Sequence, residues 1–389
     1  QAALGENAFE ILADSPIFAP VAEFLAWEPQ TSDTDSVLLK AIRLYQSLIR
    51  FHQDDADETA FADANLFRLA FGYSQAVGPE KDDLYMAALE RFANEWKGNE
   101  IAARAIYARA AVLYDQEKYL QAHALAEQGW KDYPASYGGV QCYNLIQQIE
   151  GKSASIQTER VWNDPLPEIQ VTYRNVTHVY FRAIRWDDVS RPSWSMLTTS
   201  ERAALLAMRP NMGWSAALPA TGDYDSRTES LPAPAGLTKG FYFLVASHNE
   251  SFTSDDNKIS VVPIWVSDLA MVVRTLSQEG AVEGFVLAAN SGLPLSGATV
   301  ARRKYSYTTY TYELYDQTQT DDNGMFYFAP SSSSYVSCLL VAEYGDDRLA
   351  TSEAYATTTG YSTTPAYTQT VFFTDRSLYR PGQTIQYKG

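Results

Sequence analysis

The spacing of hydrophobic and polar residues divides the chain into a helical first part and a strand-rich remainder. In the segment 37–51, apolar side chains recur every three or four positions and fall on one stripe of a helix. The members of that stripe are Leu38, Ile42, Tyr45 and Ile49. The same period runs through 62–75 and 79–96. The pattern predicts amphipathic helices joined by short loops, the first of them capped by Ser36 or Asp35.

A pair of packed helices is indicated at 101–134. The small residues Ala110, Ala122 and Ala126 fall where two antiparallel helices would touch, and "DQEKY" supplies the turn between them. A unit of roughly 34 residues with small contact positions resembles a degenerate tetratricopeptide repeat. An unrelated helical bundle fits this segment almost as well. In either case we predict an all-α domain over 1–160, in which nothing resembles a binding or catalytic site.

Beyond residue 160 the hydrophobic period shortens to two, which indicates strands. Alternation runs through "QVTYRNVTHVYFRAIRWD", "LTKGFYFLVASHNESF" and "DNKISVVPIWVSDLAMVVR", and turn-rich stretches separate them. A helix interrupts this pattern at "TTSERAALLAM", with Thr198 or Thr199 as its cap and Glu201 in its first turn. We therefore predict an antiparallel β-sandwich with a helical insertion over 161–275.

A second, smaller sandwich is predicted over 276–368. Short strands at regular spacing surround Asp322-Asn323-Gly324, a sequence typical of a β-hairpin turn. Five tyrosines nearly alternate along one predicted strand, namely Tyr305, Tyr307, Tyr310, Tyr312 and Tyr315. The preference of tyrosine for strands explains this run, and a tyrosine-lined binding face is the alternative. The last segment, 369–389, reads as the first strands of a truncated third β-domain.

The charge of the chain excludes several classes of partner. The formal net charge is −17 with a sequence pI near 4.7, and residues 1–160 hold 24 acidic and 13 basic side chains. A protein that binds nucleic acid or anionic lipid gains affinity by neutralising phosphates with basic side chains. We therefore expect no nucleic-acid partner. A solvated acidic surface is favoured over a site for a specific basic partner.

No catalytic, cofactor-binding or metal-binding residue is predicted. The four histidines are scattered at His52, His123, His178 and His248. His52, beside Asp54 and Asp55, comes nearest to a ligand group, but a solvated helix end explains that cluster better. The sequence holds no Gly-x-Ser-x-Gly elbow, phosphate loop or dinucleotide fingerprint. We expect that the chain is not an enzyme.

Cysteine usage and hydropathy bear on the compartment. Cys142 and Cys338 fall in different predicted domains, so we expect two buried thiols and not a disulfide framework. No apolar run approaches the roughly 20 residues that span a bilayer, and the start "QAALGENAFE" lacks the features of a signal peptide. Either the protein is cytosolic or a targeting segment has been removed.

The end of the sequence, "VFFTDRSLYRPGQTIQYKG", carries a specific motif. It resembles the opening strands of a macroglobulin-like domain in the alpha-2-macroglobulin family, where Thr-Asp-(Arg/Lys)-x-x-Tyr-(Arg/Lys)-Pro-Gly-(Gln/Glu)-Thr recurs. The matching residues are Thr374, Asp375, Arg376, Tyr379, Arg380, Pro381, Gly382, Gln383 and Thr384. Earlier segments are similar to the N-terminal β-domain of bacterial members and, from "VEGFVLAANSGLPLSGATV" onward, to a carboxypeptidase-regulatory-like sandwich.

This resemblance implies a large bacterial protein of the periplasm or cell surface that inhibits proteases. In the family a protease cuts a bait segment, the β-domains rearrange, and in many members a thioester within Gly-Cys-Gly-Glu-Gln couples to the protease. The surroundings of the two cysteines, "VQCYN" and "VSCLL", are unlike that pentapeptide, and no bait segment is identified.

The expected function is therefore that of an N-terminal structural and interaction region of such an inhibitor. Proteases would be partners of the full-length protein, and the helical domain would contact an envelope protein. A signal peptide or lipid-anchored start is expected to have been removed. The alternative is a surface or periplasmic module that binds a protein or a glycan and has no inhibitor activity.

Overall fold

The computed structural model describes residues 8–253, 257–276, 281–329, 336–351, 355–357, 373–374 and 387–388. The α-helices among them are α1 (Val21–Ala26), α2 (Val37–His52), α3 (Thr59–Gln75), α4 (Lys81–Glu95), α5 (Ala102–Asp115), α6 (Tyr119–Asp132), α7 (Tyr137–Glu150) and α8 (Thr199–Ala207). Short 3-10 helices lie at Pro16–Phe18 and Trp194–Met196. No helix in these ranges is long and apolar enough to cross a membrane.

The strands follow the first seven helices. They are β1 (Ser153–Thr158), β2 (Val161–Trp162), β3 (Glu168–Arg174), β4 (His178–Arg185), β5 (Met212–Ala217), β6 (Arg227–Pro232), β7 (Gly240–Ser247), β8 (Ser260–Val266), β9 (Leu269–Leu276), β10 (Ala281–Ala288), β11 (Thr299–Ser306), β12 (Thr311–Gln319), β13 (Met325–Phe328), β14 (Val336–Tyr344), β15 (Asp347–Ala350), β16 (Tyr355–Thr357), β17 (Phe373–Thr374) and β18 (Tyr387–Lys388). The predicted fold class, a helical region followed by antiparallel β-sandwiches, is confirmed.

Local capping and apolar periodicity explain the helices. Ser36, and not Asp35, caps α2, because its hydroxyl accepts a hydrogen bond from the amide of Leu39 at 3.4 Å. The buried Gln46 on the same helix donates to the carbonyl of Phe24 at 2.8 Å and to that of Trp27 at 2.7 Å. This side chain satisfies carbonyls at the end of α1 and holds that short helix against α2.

Close backbone packing joins the later helices. The predicted contact residues Ala110, Ala122 and Ala126 are fully buried between α5, α6 and α7. At the start of α7, a methyl group added to Gly138 would lie 2.4 Å from backbone atoms of Ala103 and of Arg104. Only a glycine lets the two helices approach this closely.

Two sheets form the first sandwich. One has the strand order β1-β3-β6, the other has β2-β8-β7-β4-β5, and every pair is antiparallel except β2 with β8. Side chains from both sheets meet in one buried cluster that contains Val171, Phe181 and Leu244. The alternation of buried and exposed residues along β3 follows from this packing, since its outer face meets solvent.

Strand β7 is buried on both faces. Tyr242 and Leu244 belong to the cluster of the first sandwich, whereas Phe241, Phe243 and Val245 belong to a second cluster. That second cluster also contains side chains of the sheets β13-β10-β9 and β12-β11-β14-β15. The sheet β2-β8-β7-β4-β5 is thus a middle layer between the two clusters. The predicted ranges 161–275 and 276–368 therefore share a hydrophobic core.

The domain limits themselves stay a prediction. Strand β1 already lies within 1–160, the range predicted to be helical, and pairs along its whole length with β3. Near the end of the chain, β17 pairs with β18 inside the predicted segment 369–389. Pro381 and Gly382 of the macroglobulin-like motif lie outside the described residues.

The hairpin predicted at Asp322-Asn323-Gly324 is wrong in its strand pairing. The turn itself forms, because Asp321 Oδ1 accepts the amides of Asn323 at 2.9 Å and of Met325 at 2.8 Å, and Gly324 has a φ of +71°. However, β12 pairs with β11, whereas β13 pairs with β10 in another sheet. The turn therefore passes the chain from one sheet to the next, which a local sequence signal does not reveal.

Candidate functional site

A buried carboxylate joins the two β-regions. Asp347, at the start of β15, is 4% exposed and accepts a hydrogen bond from the backbone amide of Asp268 at 2.9 Å. Lys239 Nζ lies 3.1 Å from the same carboxylate oxygen and 2.9 Å from Asp268 Oδ2. The hydrogen bond to Asp268, followed by that to Asp347, raises the pKa of Lys239 well above its ordinary value. These contacts fix the turns before β7, β9 and β15 to one another.

A cleft of about 320 Å³ lies beside this joint. Its charged lining residues are Arg185, Asp187, Lys239, Glu343, Asp346, Asp347 and Arg348. Arg185 pairs with Asp187 at 2.8 Å, and Arg348 pairs with Glu343 at 2.6 Å. Because each of its cations already has an acidic partner, the cleft is suited to holding loops together and not to binding an anion.

A second link across the β-regions is made by Arg160. Its guanidinium donates to the carbonyl of Thr351 at 2.8 Å, and its own carbonyl accepts from the amide of Trp265 at 2.7 Å. Burial lowers the pKa of Arg160 to about 10. The start of the first sandwich is therefore tied to the end of the second.

An apolar groove runs between α2 and α3, with exposed residues of both helices along it and with Ala64, a residue of their buried core, in its lining. We call it the α2/α3 groove. Its lining residues are Ala41, Leu44, Tyr45, Leu48, Ala60, Asp63, Ala64, Phe67 and Phe71. Its volume is about 650 Å³. Leu44 is 69% exposed and Phe67 is 54% exposed. A contiguous exposed apolar surface of this kind marks an interaction site more often than a single exposed leucine does.

Aromatic contacts fix the floor and wall of the α2/α3 groove. The rings of Tyr45 and Phe71 lie 5.3 Å apart across the two helices, and burial raises the pKa of Tyr45. On the other side, the guanidinium of Arg104 lies 5.2 Å from the centre of the Phe67 ring and forms an ion pair with Asp63. The groove is therefore already shaped by packed side chains.

One end of the α2/α3 groove is acidic. The connection between α2 and α3 carries four exposed carboxylates, those of Asp54, Asp55, Asp57 and Glu58. At the start of the connection, His52 Nδ1 lies 2.7 Å from Asp55 Oδ2. In the described part of the chain, no group of three or more histidine, cysteine, aspartate or glutamate side chains could hold a metal ion.

The tyrosine run predicted as an alternative binding face is partly assembled. The Tyr305 ring lies 5.0 Å from that of Tyr307 and 5.2 Å from that of Tyr312. Tyr310, in the turn between β11 and β12, has a φ of +56° and is 65% exposed. Tyr305 packs edge to face against both neighbouring rings, so these side chains stabilise one another on the strand surface.

The α2/α3 groove was not predicted from the sequence. The predicted stripe of α2 supplies one of its lining residues, Tyr45, but the second apolar stripe of α2, formed by Val37, Leu44, Leu48 and Phe51, was not recognised. Two apolar stripes on one helix were the available signal, since a helix with one buried face needs only one of them.

No protein-family model and no curated protein matches this sequence. Solved structures do match, among them the crystal structure of native Escherichia coli alpha-2-macroglobulin spanning domains NIE-MG1, with a TM-score of 0.37 and 14% identity over 52% of this chain and 97% of that one. The structure of the same protein spanning domains MG0-NIE-MG1 has a TM-score of 0.38 and 14% identity over 52% of this chain and 64% of that one.

The D0-D1 domain of Intimin also matches, with a TM-score of 0.23 and 15% identity over 51% of this chain and 94% of that one. The present chain covers only 12% of the chain in the cryo-EM reconstruction of the E. coli alpha-2-macroglobulin. Similarities this low do not assign the chain to a family.

Proposed function

We propose that this chain is the N-terminal structural and interaction region of a bacterial alpha-2-macroglobulin-like protease inhibitor of the periplasm or cell surface, and that it has no catalytic activity of its own. The macroglobulin-like motif at 374–384 and the order of a helical region before β-sandwiches support this proposal.

The observation that carries the structural role is the double burial of β7. Because side chains of this strand pack into the cores on both sides of its sheet, the β-layers cannot slide past one another without exposing large apolar side chains such as Phe243 and Leu244. The contacts of Asp347 and of Arg160 reinforce the same layers. Such a body suits a fixed arm against which other domains rearrange after a protease has cut.

Digestion of a protein substrate by a protease tests this proposal. We expect the intact gene product to slow digestion of casein by a serine protease, whereas the 389-residue chain alone neither slows it nor hydrolyses peptide or ester substrates. The intact product carrying Asp347→Ala should inhibit less, because the joint between the β-layers is weakened. An intact product that leaves the digestion rate unchanged would overturn the inhibitor proposal and favour a binding scaffold.

A further inference from the structure

We propose that the α2/α3 groove binds an amphipathic α-helix of a partner protein, with apolar side chains seated along the groove and basic side chains at the end beside the acidic connection 53–58. This proposal is independent of the inhibitor proposal, because it rests only on residues of the helical region.

The two walls of the groove have the periodicity of helix packing. The lining residues of α3 recur at intervals of three and four positions from Ala60 to Phe71, and those of α2 do so from Ala41 to Leu48. At 1.5 Å per residue the α3 wall is about 16 Å long, so a partner helix of roughly three turns would fill it. Apolar residues at i, i+4, i+7 and i+11 of that helix would face the groove.

The volume agrees with this number of side chains. A cavity of roughly 150 Å³ accommodates one benzene molecule. The α2/α3 groove, at about 650 Å³, has room for about four groups of that size. A single small ligand would leave much of this apolar surface in contact with water, whereas the side chains of a helix would cover its full length.

The outer face of α2 beside the groove exposes large apolar side chains to solvent. In a row of stacked helix pairs, the outermost pair normally presents a polar face to solvent. Here α2 is the first long helix of the described chain, and its outer stripe includes Val37, 79% exposed, and Phe51, 76% exposed. Burial of each such side chain against a partner would lower the free energy of the complex.

Charge decides which kind of partner fits. The carboxylates of Asp54, Asp55, Asp57 and Glu58 lie at the end of the groove where α2 stops and α3 begins. Lysine or arginine side chains on one end of the partner helix would complement them and set its direction. The excess of acidic residues in 1–160 opposes pairing with a second copy of this chain and opposes an anionic membrane surface.

Selection from a displayed library of helical peptides, using the whole 389-residue chain as bait, tests the proposal. We expect enrichment of peptides with apolar residues at i, i+4, i+7 and i+11 and with lysine or arginine clustered at one end. Fluorescence anisotropy of the enriched peptides should give dissociation constants in the micromolar range.

Variants test where the peptides bind and separate the contribution of the apolar groove from that of the acidic connection. Leu44→Glu should weaken binding of the selected peptides at least about tenfold, because it places a charge in the apolar groove. The matched control is Leu120→Glu on α6, a leucine that is 56% exposed and should leave binding unchanged. The double variant Asp54→Asn, Glu58→Gln should weaken the basic peptides by about fivefold and leave versions with neutral ends unaffected.

Three outcomes would overturn the proposal. The first is a selection that enriches no helical peptide. The second is an enriched peptide whose affinity Leu44→Glu does not change, since it binds elsewhere. The third is a wild-type chain that sediments as a dimer and becomes monomeric with Leu44→Glu, because a second copy would then be the occupant of the groove.

Discussion

The carboxylate of Asp347 accepts the backbone amide of Asp268, which lies 79 positions earlier in the chain, at 2.9 Å. This bond joins the turn between β8 and β9 to the start of β15. This bond is partly buried, and an amide left there without an acceptor is costly, so the side chain at 347 determines whether these two turns can remain closed.

We expect Asp347→Ala to lower the free energy of unfolding by about 2–3 kcal/mol, because the variant leaves the Asp268 amide unpaired and removes one partner of Lys239. Urea unfolding followed by tryptophan fluorescence would measure the change. The neighbouring Asp346 is exposed, so Asp346→Ala serves as the control and should be nearly neutral. Equal stability of the two variants would contradict a structural role for the joint.

Thr198 and Glu201 form a capping box at the start of α8, in which the side chain of each bonds the backbone amide of the other. The stability of α8 should therefore depend on pH. The backbone amide of Thr198 donates to Glu201 Oε2 at 2.9 Å, and Arg191 pairs with the same carboxylate. The hydrogen bond from the Thr198 amide, followed by that from Arg191, lowers the pKa of Glu201 to about 2 from an ordinary 4.5. Because the folded-state pKa is the lower one, this stabilisation is present above pH 4.5 and is lost as the pH falls toward 2.

Glu201→Gln should therefore lower the protection of α8 amides against hydrogen exchange at pH 7, with little effect near pH 2. Protection factors measured by mass spectrometry at several pH values would show the two proteins converge as the solution becomes acidic. Glu250→Gln, at an exposed position, is the control. A difference between Glu201→Gln and wild type that stayed constant with pH would mean that the carboxylate does not act through its charge.

Packing of α7 on α5 should not tolerate a methyl group at Gly138. The added carbon would lie 2.4 Å from backbone atoms of Ala103 and Arg104, and a backbone cannot move aside as a flexible side chain can. We expect Gly138→Ala to destabilise the helical region by about 1–3 kcal/mol. Thermal unfolding followed by circular dichroism at 222 nm would detect it. At Gly222 nothing lies within 4 Å of the added methyl group, so Gly222→Ala should leave the unfolding temperature unchanged.

Both thiols should be unreactive in the native protein. Cys142 and Cys338 are fully buried, and burial raises the pKa of Cys142 to about 12 and that of Cys338 to about 11. A thiol must ionise and be reached by the reagent to react with Ellman's reagent. We expect negligible reaction at pH 8 and reaction of both thiols in guanidinium chloride. Ser47→Cys places a thiol at an exposed position and should react at once.

Features that depend on local sequence were the predictable ones. The buried alanines of α5 and α6 follow from periodicity, so the sequence was sufficient for them. For the α2 cap the sequence left Ser36 and Asp35 as alternatives, and the hydrogen bond from the Leu39 amide identifies Ser36. The pairing of β13 with β10 instead of β12 was not predictable, since both partners are compatible with the turn at 322–324. The partner of a strand is chosen by the whole core, and a short sequence window does not contain that information.

The same distinction holds for the candidate sites. Asp268 and Asp347 look like ordinary turn residues in the sequence, and only the packing of distant strands makes them partners. The α2/α3 groove is different, because its apolar positions are regular along both helices. Such positions normally indicate a core, and only the arrangement of the helices shows that this face is left uncovered.

The interleaving of strands in the first sandwich has a consequence for proteolysis. A single nick in the connection between β5 and β6 would leave β3 and β4 on one piece and β6 and β7 on the other. Yet β3 is hydrogen-bonded to β6 and β4 to β7, so each piece holds strands that complete the other's sheets. The nicked protein would elute from a sizing column as one particle and separate into two bands only after denaturation, so a cut here would leave the β-layers assembled.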